Sequence, residues 1–396
     1  MNFAKRISRI QPSATLAMTA KAAELREKGL EVLNLSVGEP DFNTPSHIIQ
    51  SAVDAMNNGH TRYTPGGGTL NLKQAIQKKL IRDNNLEYDL SEIIVSCGGK
   101  HSLYNACQVL FEAGDEVIIF SPYWVSFPDF VSVTGAKPIF VNSDPTNQYE
   151  PIFEELEKKI NNRTKGIIIN SPSNPTGGVW SDEAISKTID IAKKYNAWVF
   201  SDECYEQLTY DEPFTSIYKL CPHYNRILTF QSCSKTYAMT GWRIGYTCGD
   251  SKVVKAMAKL QGQSTSCPNS IAQCAAAEAL SGDQSSVEEM RNAFKIRRNL
   301  IVNRLNEIDG ISCETPGGAF YVFPDISNII NRNLDGKIIK NSLDLSMLLL
   351  EKESVVSVSG DSFGADNNIR FSYAISDEVI NRAMDKLKAL IDKCEQ

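Results

Sequence analysis

Short apolar runs rich in β-branched and aromatic residues recur along the first 250 positions, separated by stretches in which apolar residues return every third or fourth place. The runs predict strands at Ile93–Ser96, Glu116–Phe120, Lys137–Val141, Gly166–Asn170, Ala197–Ser201, Ile227–Phe230 and Arg243–Thr247. Several, such as Val117-Ile-Ile-Phe120, are continuous rather than alternating, the pattern of a strand covered on both faces. Helical spacing occupies the intervals, as at His101–Phe111, Asp182–Tyr195 and Val253–Gln261. A strand-helix succession of this kind predicts an α/β fold around a mostly parallel seven-stranded sheet.

The texture changes after about Ser281. A long charged helix, Ser286 to about Asn306, leads into shorter strands at Ala319–Phe323, Val355–Val358 and Ile369–Tyr373, and a terminal helix follows at Asp377–Asp392. This predicts a second, smaller α+β domain packed closely on the first, since no Pro/Gly-rich linker intervenes.

Composition narrows the function. At 396 residues the chain is long enough for both cores, and 42% hydrophobic with 22% charged residues is ordinary for a globular protein. A net charge of −6 speaks against nucleic acid as a partner. No apolar run has membrane-spanning length, and the N-terminal Met-Asn-Phe-Ala-Lys-Arg has no secretory core. Ten scattered cysteines without a C-x-x-C pair suit a reducing cytoplasm, and four histidines without ligand spacing predict no metal site.

The chemistry-bearing residues cluster just after the predicted strands, where open α/β sheets bind their ligands. Cys97-Gly-Gly-Lys100 follows the first strand, Ser121-Pro-Tyr-Trp124 the second, and Asn170-Ser-Pro-Ser-Asn174-Pro-Thr-Gly-Gly178 the fourth. Asp202-Glu-Cys-Tyr205 follows the fifth, and Gln231-Ser-Cys-Ser-Lys235 the sixth. Gly98 and Gly99 before a helix offer backbone N–H groups to an anion. Ser232, Ser234 and Arg243 add hydroxyls and a guanidinium fork suited to phosphate. Plainer readings exist for each alone: a surface ion pair for Arg243, a helix cap or turn for Asp202, core packing for Trp124. Neither G-x-G-x-x-G nor a P-loop is present, so the phosphate is not evidently that of a dinucleotide or ATP. A lysine, an acid for a ring nitrogen, a flat aromatic and a phosphate cradle together describe pyridoxal 5′-phosphate held at Lys235 as a Schiff base.

These residues also carry a resemblance. "SVGEPDFNTP", "TRYTPGGGTLNLKQAI", "SPYWVSFPDF", "NSPSNPTGG", "SDECYEQL", "SCSKTYAMTGWRIGY" and "IRFSYA" occur in this order. Together, from about Pro12 to the C-terminal helix, they resemble the class I pyridoxal-phosphate aminotransferases, in the bacterial-type aspartate aminotransferase branch. The resemblance implies a fold-type-I transferase with residues 41–285 as the large cofactor-binding domain and 286–396 as the small domain, residues 1–40 being an arm and part of the small domain. It implies catalytic roles for Lys235, which also moves the substrate proton, for Asp202 at the ring nitrogen and for Tyr205. Tyr205 and Asn174 would meet the ring oxygen and Trp124 would stack on the ring. Gly99, Lys100, Ser232, Ser234 and Arg243 would hold the phosphate. Arg370 would take the substrate α-carboxylate, helped by Asn174, Trp124 and the backbone at Gly38. Tyr63 would reach the cofactor of a neighbouring subunit, which implies a homodimer with shared sites.

The implied reaction is a ping-pong transfer of the amino group between L-aspartate and 2-oxoglutarate, giving oxaloacetate and L-glutamate. In the branch resembled, Lys100, Ser13 and Thr15 meet the distal carboxylate of the substrate. Thr15 also reads as a cap for a helix at Leu16–Glu27, and Lys100 as a solvated lysine. Gln11 stands where relatives often carry a basic residue, and Thr15 with Lys100 also occurs in relatives that transaminate prephenate, so a prephenate or aromatic preference stays open. A C–S lyase of the same fold is a further alternative. A non-enzymatic sensing module would need a DNA-binding domain ahead of the first motif.

Overall fold

The computed structural model describes residues 3–10, 22–24, 27, 29, 31–334 and 336–394. Its centre is a sheet whose strands lie in the order Ile93–Ser96, Gly245–Cys248, Ile227–Ser232, Trp198–Asp202, Thr164–Asn170, Glu116–Ser121, Lys137–Asp144 and Glu150–Pro151. The five from Ile227–Ser232 to Lys137–Asp144 pair in parallel, and Gly245–Cys248 runs antiparallel to both its neighbours. All seven expected strands are present. The eighth, Glu150–Pro151, is a two-residue antiparallel edge with no apolar run to announce it.

Burial explains the continuous apolar strands. Ile167 and Ile169 pack with Ile185 and Ile189 on one side of the sheet, while Ile168 and Phe200 pack with Leu103 and Met257 on the other. Successive side chains of a strand point to opposite faces, so a doubly covered strand must be apolar at every position. The covering helices carry their own end signals. Helix Asp182–Lys194 is capped by the Ser181 hydroxyl, which accepts from the Ala184 N–H. Acids fill its first turn and lysines its last, as the helix dipole favours.

The C-terminal part has its own core, built from helix Ser285–Asn306, helix Asp377–Ile391 and a small antiparallel sheet of Tyr321–Val322, Ile369–Ser372 and Val358–Ser359. Two expected strands are shorter here. The first begins only at Tyr321, because Ala319 takes a left-handed φ of 56° that no strand accepts. Val355–Val358 divides at Ser357: Val355–Val356 pairs with Leu33–Asn34, and Val358–Ser359 with Ile369–Ser372. Leu33 and Leu35 thus join the C-terminal core.

Candidate active site

The strand register brings the site together. Asn170 lies opposite Asp202, Asp202 opposite Phe230, and Ser232 opposite Gly245, all at one edge of the sheet. A cavity of about 360 Å³ opens there. Its wall includes Lys235, Asp202, Tyr205, Asn174, Trp124 and Arg370 from the expected set. Gly38, Gly99, Lys100, Ser232, Ser234 and Arg243 of the same set also line it.

Lys235 sits in the single turn Cys233–Thr236, whose start is held by Ser232: its hydroxyl accepts from the Ser234 N–H at 3.1 Å. The Lys235 ammonium donates to the Gly38 carbonyl at 2.5 Å. Burial draws its proton affinity below the ordinary lysine range, because the charged form loses hydration. The run of small polar residues before Lys235, Ser232-Cys-Ser234, is therefore a capped turn at a strand end, which aims an amine into a cavity.

The anion end depends on close backbone approach. Gly98, at φ 93°, precedes helix Gly99–Leu110, and a Cβ there would lie 2.4 Å from the Arg243 guanidinium. A Cβ at Gly245 would meet the Gly99 nitrogen at 2.3 Å. Glycine is required at both places. The first-turn N–H groups of the helix, which no intrahelical carbonyl can take, face the same region as the Ser232 and Ser234 hydroxyls, 2.9 Å apart. Arg243 donates to the Thr240 carbonyl at 2.8 Å, and the Lys100 ammonium lies 4.9 Å from the centre of the half-buried Trp124 ring. Neither cation forms an ion pair among the described residues, so the surface-pair reading of Arg243 does not hold. Clustered donors and unpaired cations fit a phosphate.

Asp202 is 7% exposed, and one of its carboxylate oxygens accepts the Cys204 N–H at 3.2 Å. It holds a turn and also lines the cavity, so both readings of this residue apply. Burial raises its pKa to about 7, against which the Cys204 hydrogen bond acts. Because the folded carboxyl binds its proton more tightly than the unfolded one, its stabilising contribution is complete below about 3.8 and gone above about 7. Asp202→Asn should therefore stabilise the cofactor-free protein at pH 8, by up to about 4 kcal/mol. Thermal melts at pH 5 and pH 8 check this, and an advantage that fails to grow with pH removes the account.

Arg370, on strand Ile369–Ser372, is 2% exposed. It donates to the Asn174 side-chain oxygen at 2.9 Å and to the Ser36 carbonyl at 2.6 Å, while its Nε is buried without a partner. It has no carboxylate partner among the described residues. A buried guanidinium left so is a site waiting for an anion. Asn174 is itself fixed, its backbone N–H donating to the Asn170 side chain at 2.8 Å.

The sequence reading missed two neighbours. Tyr321 lies in the apolar run Ala319-Phe-Tyr-Val-Phe323, which reads as core, yet its hydroxyl is 2.8 Å from that of Tyr205. Behind the site lies a buried network in which Lys79 bonds Glu206, Asn84 and Gln231, and Gln231 donates to Glu203 and Glu206. Only the unusual pair of acids beside Asp202, in Asp202-Glu-Cys-Tyr-Glu206, signalled it. Tyr63 is not in the cavity and is 89% exposed. Ser13, Thr15, Gln11 and most of the helix expected at 16–27 lie outside the described residues.

The family model for aminotransferases of class I and II matches residues 31–387. The chain is 44% identical to an aspartate aminotransferase of Bacillus subtilis (strain 168) over 395 residues, covering 99% of this chain and 100% of that protein. It is 43% identical to a probable aspartate/prephenate aminotransferase of Rhizobium leguminosarum bv. phaseoli, with 99% of each covered. Among solved structures it superposes on the aspartate aminotransferase from Rhizobium meliloti with a TM-score of 0.96, at 41% identity and complete coverage of both chains. The Thermus thermophilus aspartate aminotransferase with maleate gives 0.93 at 38% identity, covering 98% of this chain and 100% of that one.

Proposed function

The chain belongs to the aminotransferases of class I and II, and from that premise we propose that it exchanges the amino group between L-aspartate and 2-oxoglutarate. The observation that carries this reading is the buried Arg370 guanidinium, without a carboxylate partner among the described residues and sharing one cavity with the amine of Lys235. The cofactor of the family is pyridoxal 5′-phosphate, and the donor set at the sheet edge fits it. When bound, this group spreads the negative charge left at a substrate α-carbon after its proton departs.

The remaining work falls to the chain's own residues. Lys235 would hold the cofactor's aldehyde carbon and then, as a partly desolvated amine, take and return the α-proton. Asp202, once ionised, would hold a proton on the ring nitrogen. Asn174 and Tyr205 would bond the ring oxygen, and Trp124 would cover a ring face. The first-turn N–H groups of Gly99 and Lys100, with Ser232, Ser234 and Arg243, would hold the phosphate. Arg370 would fix the α-carboxylate through its fork, with Asn174 orienting it and the Gly38 segment closing the site.

Lys100 is the described residue that we assign to the distal carboxylate, since its ammonium reaches the cavity beside Trp124. An amino-donor panel with 2-oxoglutarate, extended to prephenate as acceptor, tests the substrate reading; aspartate is expected to lead. Lys100→Ala should raise KM for aspartate roughly 10- to 100-fold, as for a lost charge-assisted contact, and change it far less for phenylalanine. Equal losses for both would count against this role.

A homodimer completes the reading. Tyr63 projects from a loop held by Ser270 to the His60 carbonyl at 2.8 Å and by Gln273 to Thr64 at 3.0 Å. Helix Ser46–Asn57 nearby in sequence turns Ile49, Val53 and Met56 outward. A fixed loop that displays a tyrosine suits donation to a second copy, and sedimentation as a dimer is the expected result. The division at residues 40 and 285 and a cytoplasmic location belong to the same proposal; the core built around helices Ser285–Asn306 and Asp377–Ile391, and the scatter of ten cysteines without a C-x-x-C pair, support them.

A further inference from the structure

Tyr321 stands between the two ends of the cavity. It is 1% exposed, and its ring centre lies 4.6 Å from the Arg370 guanidinium, which Phe363 flanks at 5.0 Å. Its hydroxyl is 2.8 Å from that of Tyr205. Gly38 makes room for this hydroxyl, since a Cβ there would lie 2.6 Å from it. One side chain therefore touches the arginine assigned to the substrate, the tyrosine assigned to the ring oxygen, and the residue whose carbonyl holds Lys235.

Resting on the transaminase reading above, we propose that Tyr321 is a positioning residue that couples carboxylate binding at Arg370 to the hydrogen bond Tyr205 offers the cofactor. The argument is one of proton accounting. Each tyrosine hydroxyl has a single proton, and in this pair either can donate. If Tyr205 directs its proton to the ring oxygen, the bond between the hydroxyls must be donated by Tyr321. A donated proton strengthens Tyr205 as a donor in turn. The guanidinium over the Tyr321 ring polarises that ring and its O–H, and a carboxylate on Arg370 cancels the cation responsible. Filling Arg370 then weakens the Tyr205 bond, which raises the proton affinity of the nitrogen at Lys235. Asp202, Cys204, Glu39, Arg243 and Arg370 also act on Lys235, and all are kept when only the Tyr321 hydroxyl is removed.

The test is a pH titration of the visible absorbance of the holoenzyme loaded with pyridoxal 5′-phosphate, with and without maleate, for the natural chain and Tyr321→Phe. The expected result for Tyr321→Phe is a midpoint raised by about 0.5–1 pH unit, as for one lost neutral hydrogen bond. The maleate-induced change of midpoint should shrink by about half or more, while the maleate Kd stays within about threefold because the ring remains beneath the guanidinium. Tyr321→Leu, lacking ring and hydroxyl, should weaken maleate as well. A Tyr321→Phe holoenzyme with the natural midpoint and the natural maleate response overturns the coupling alone. A natural chain that shows no titrating visible band with the cofactor overturns the reading beneath it, and the coupling with it.

Discussion

Lys235→Ala should lower the turnover of aspartate by about 10⁴-fold, the upper range for removing a positioned proton-transfer group, with the loss of the covalent anchor added. No other described amine occupies the same place. The nearby Lys100 ammonium lies against Trp124, and Lys79 is committed to Glu206, Asn84 and Gln231 behind the wall. The fold should survive, because the Lys235 side chain makes a single hydrogen bond among the described residues, to the Gly38 carbonyl, and its turn is held by Ser232 instead. Circular dichroism and single-turnover kinetics on the same preparation check both halves. Turnover within tenfold of the natural chain would remove Lys235 from the chemistry.

Arg370→Ala is expected to cost about 10²- to 5 × 10³-fold in kcat/KM for aspartate, since losing one partner of a buried, bidentate charge pair costs about 3–5 kcal/mol. Part of that loss is indirect. Without the guanidinium, the Asn174 side-chain oxygen and the Ser36 carbonyl lose their donor, so the residues that frame the substrate are freed as well. Arg370→Lys separates charge from shape: it restores a cation but not the planar fork, and should recover only a fraction of the loss. Steady-state kinetics of both variants decide the matter, and a fully active lysine variant would refute the fork.

Much of this arrangement is legible in the sequence. Doubly covered strands betray themselves because every position must be apolar, and the polar groups at their ends stand out against that background. Lys235, Asp202 and Asn174 were visible for this reason. Arg370 was not, because a lone arginine in an apolar strand has no spacing that reveals its partner 196 residues away; only the resemblance pointed to it. Tyr321 and the network of Lys79, Glu203, Glu206 and Gln231 escaped for the opposite reason. Hydrophobic patterning marks which positions are inside, and it cannot say that an inside tyrosine spends its hydroxyl on another. The split of Val355–Val358 between two sheets was equally hidden, since the valines on either side of Ser357 read alike whichever partner each takes.

The segment at residues 33–38 pairs with Val355–Val356 and lends the carbonyls of Ser36 and Gly38 to Arg370 and Lys235. The large sheet is complete once Cys248 has been made, yet Arg370 follows only on the later strand Ile369–Ser372. During translation Ser36 and Gly38 must wait for Arg370 before both carbonyls have their donors. A nascent polypeptide can thus own a finished sheet and still lack a working pocket.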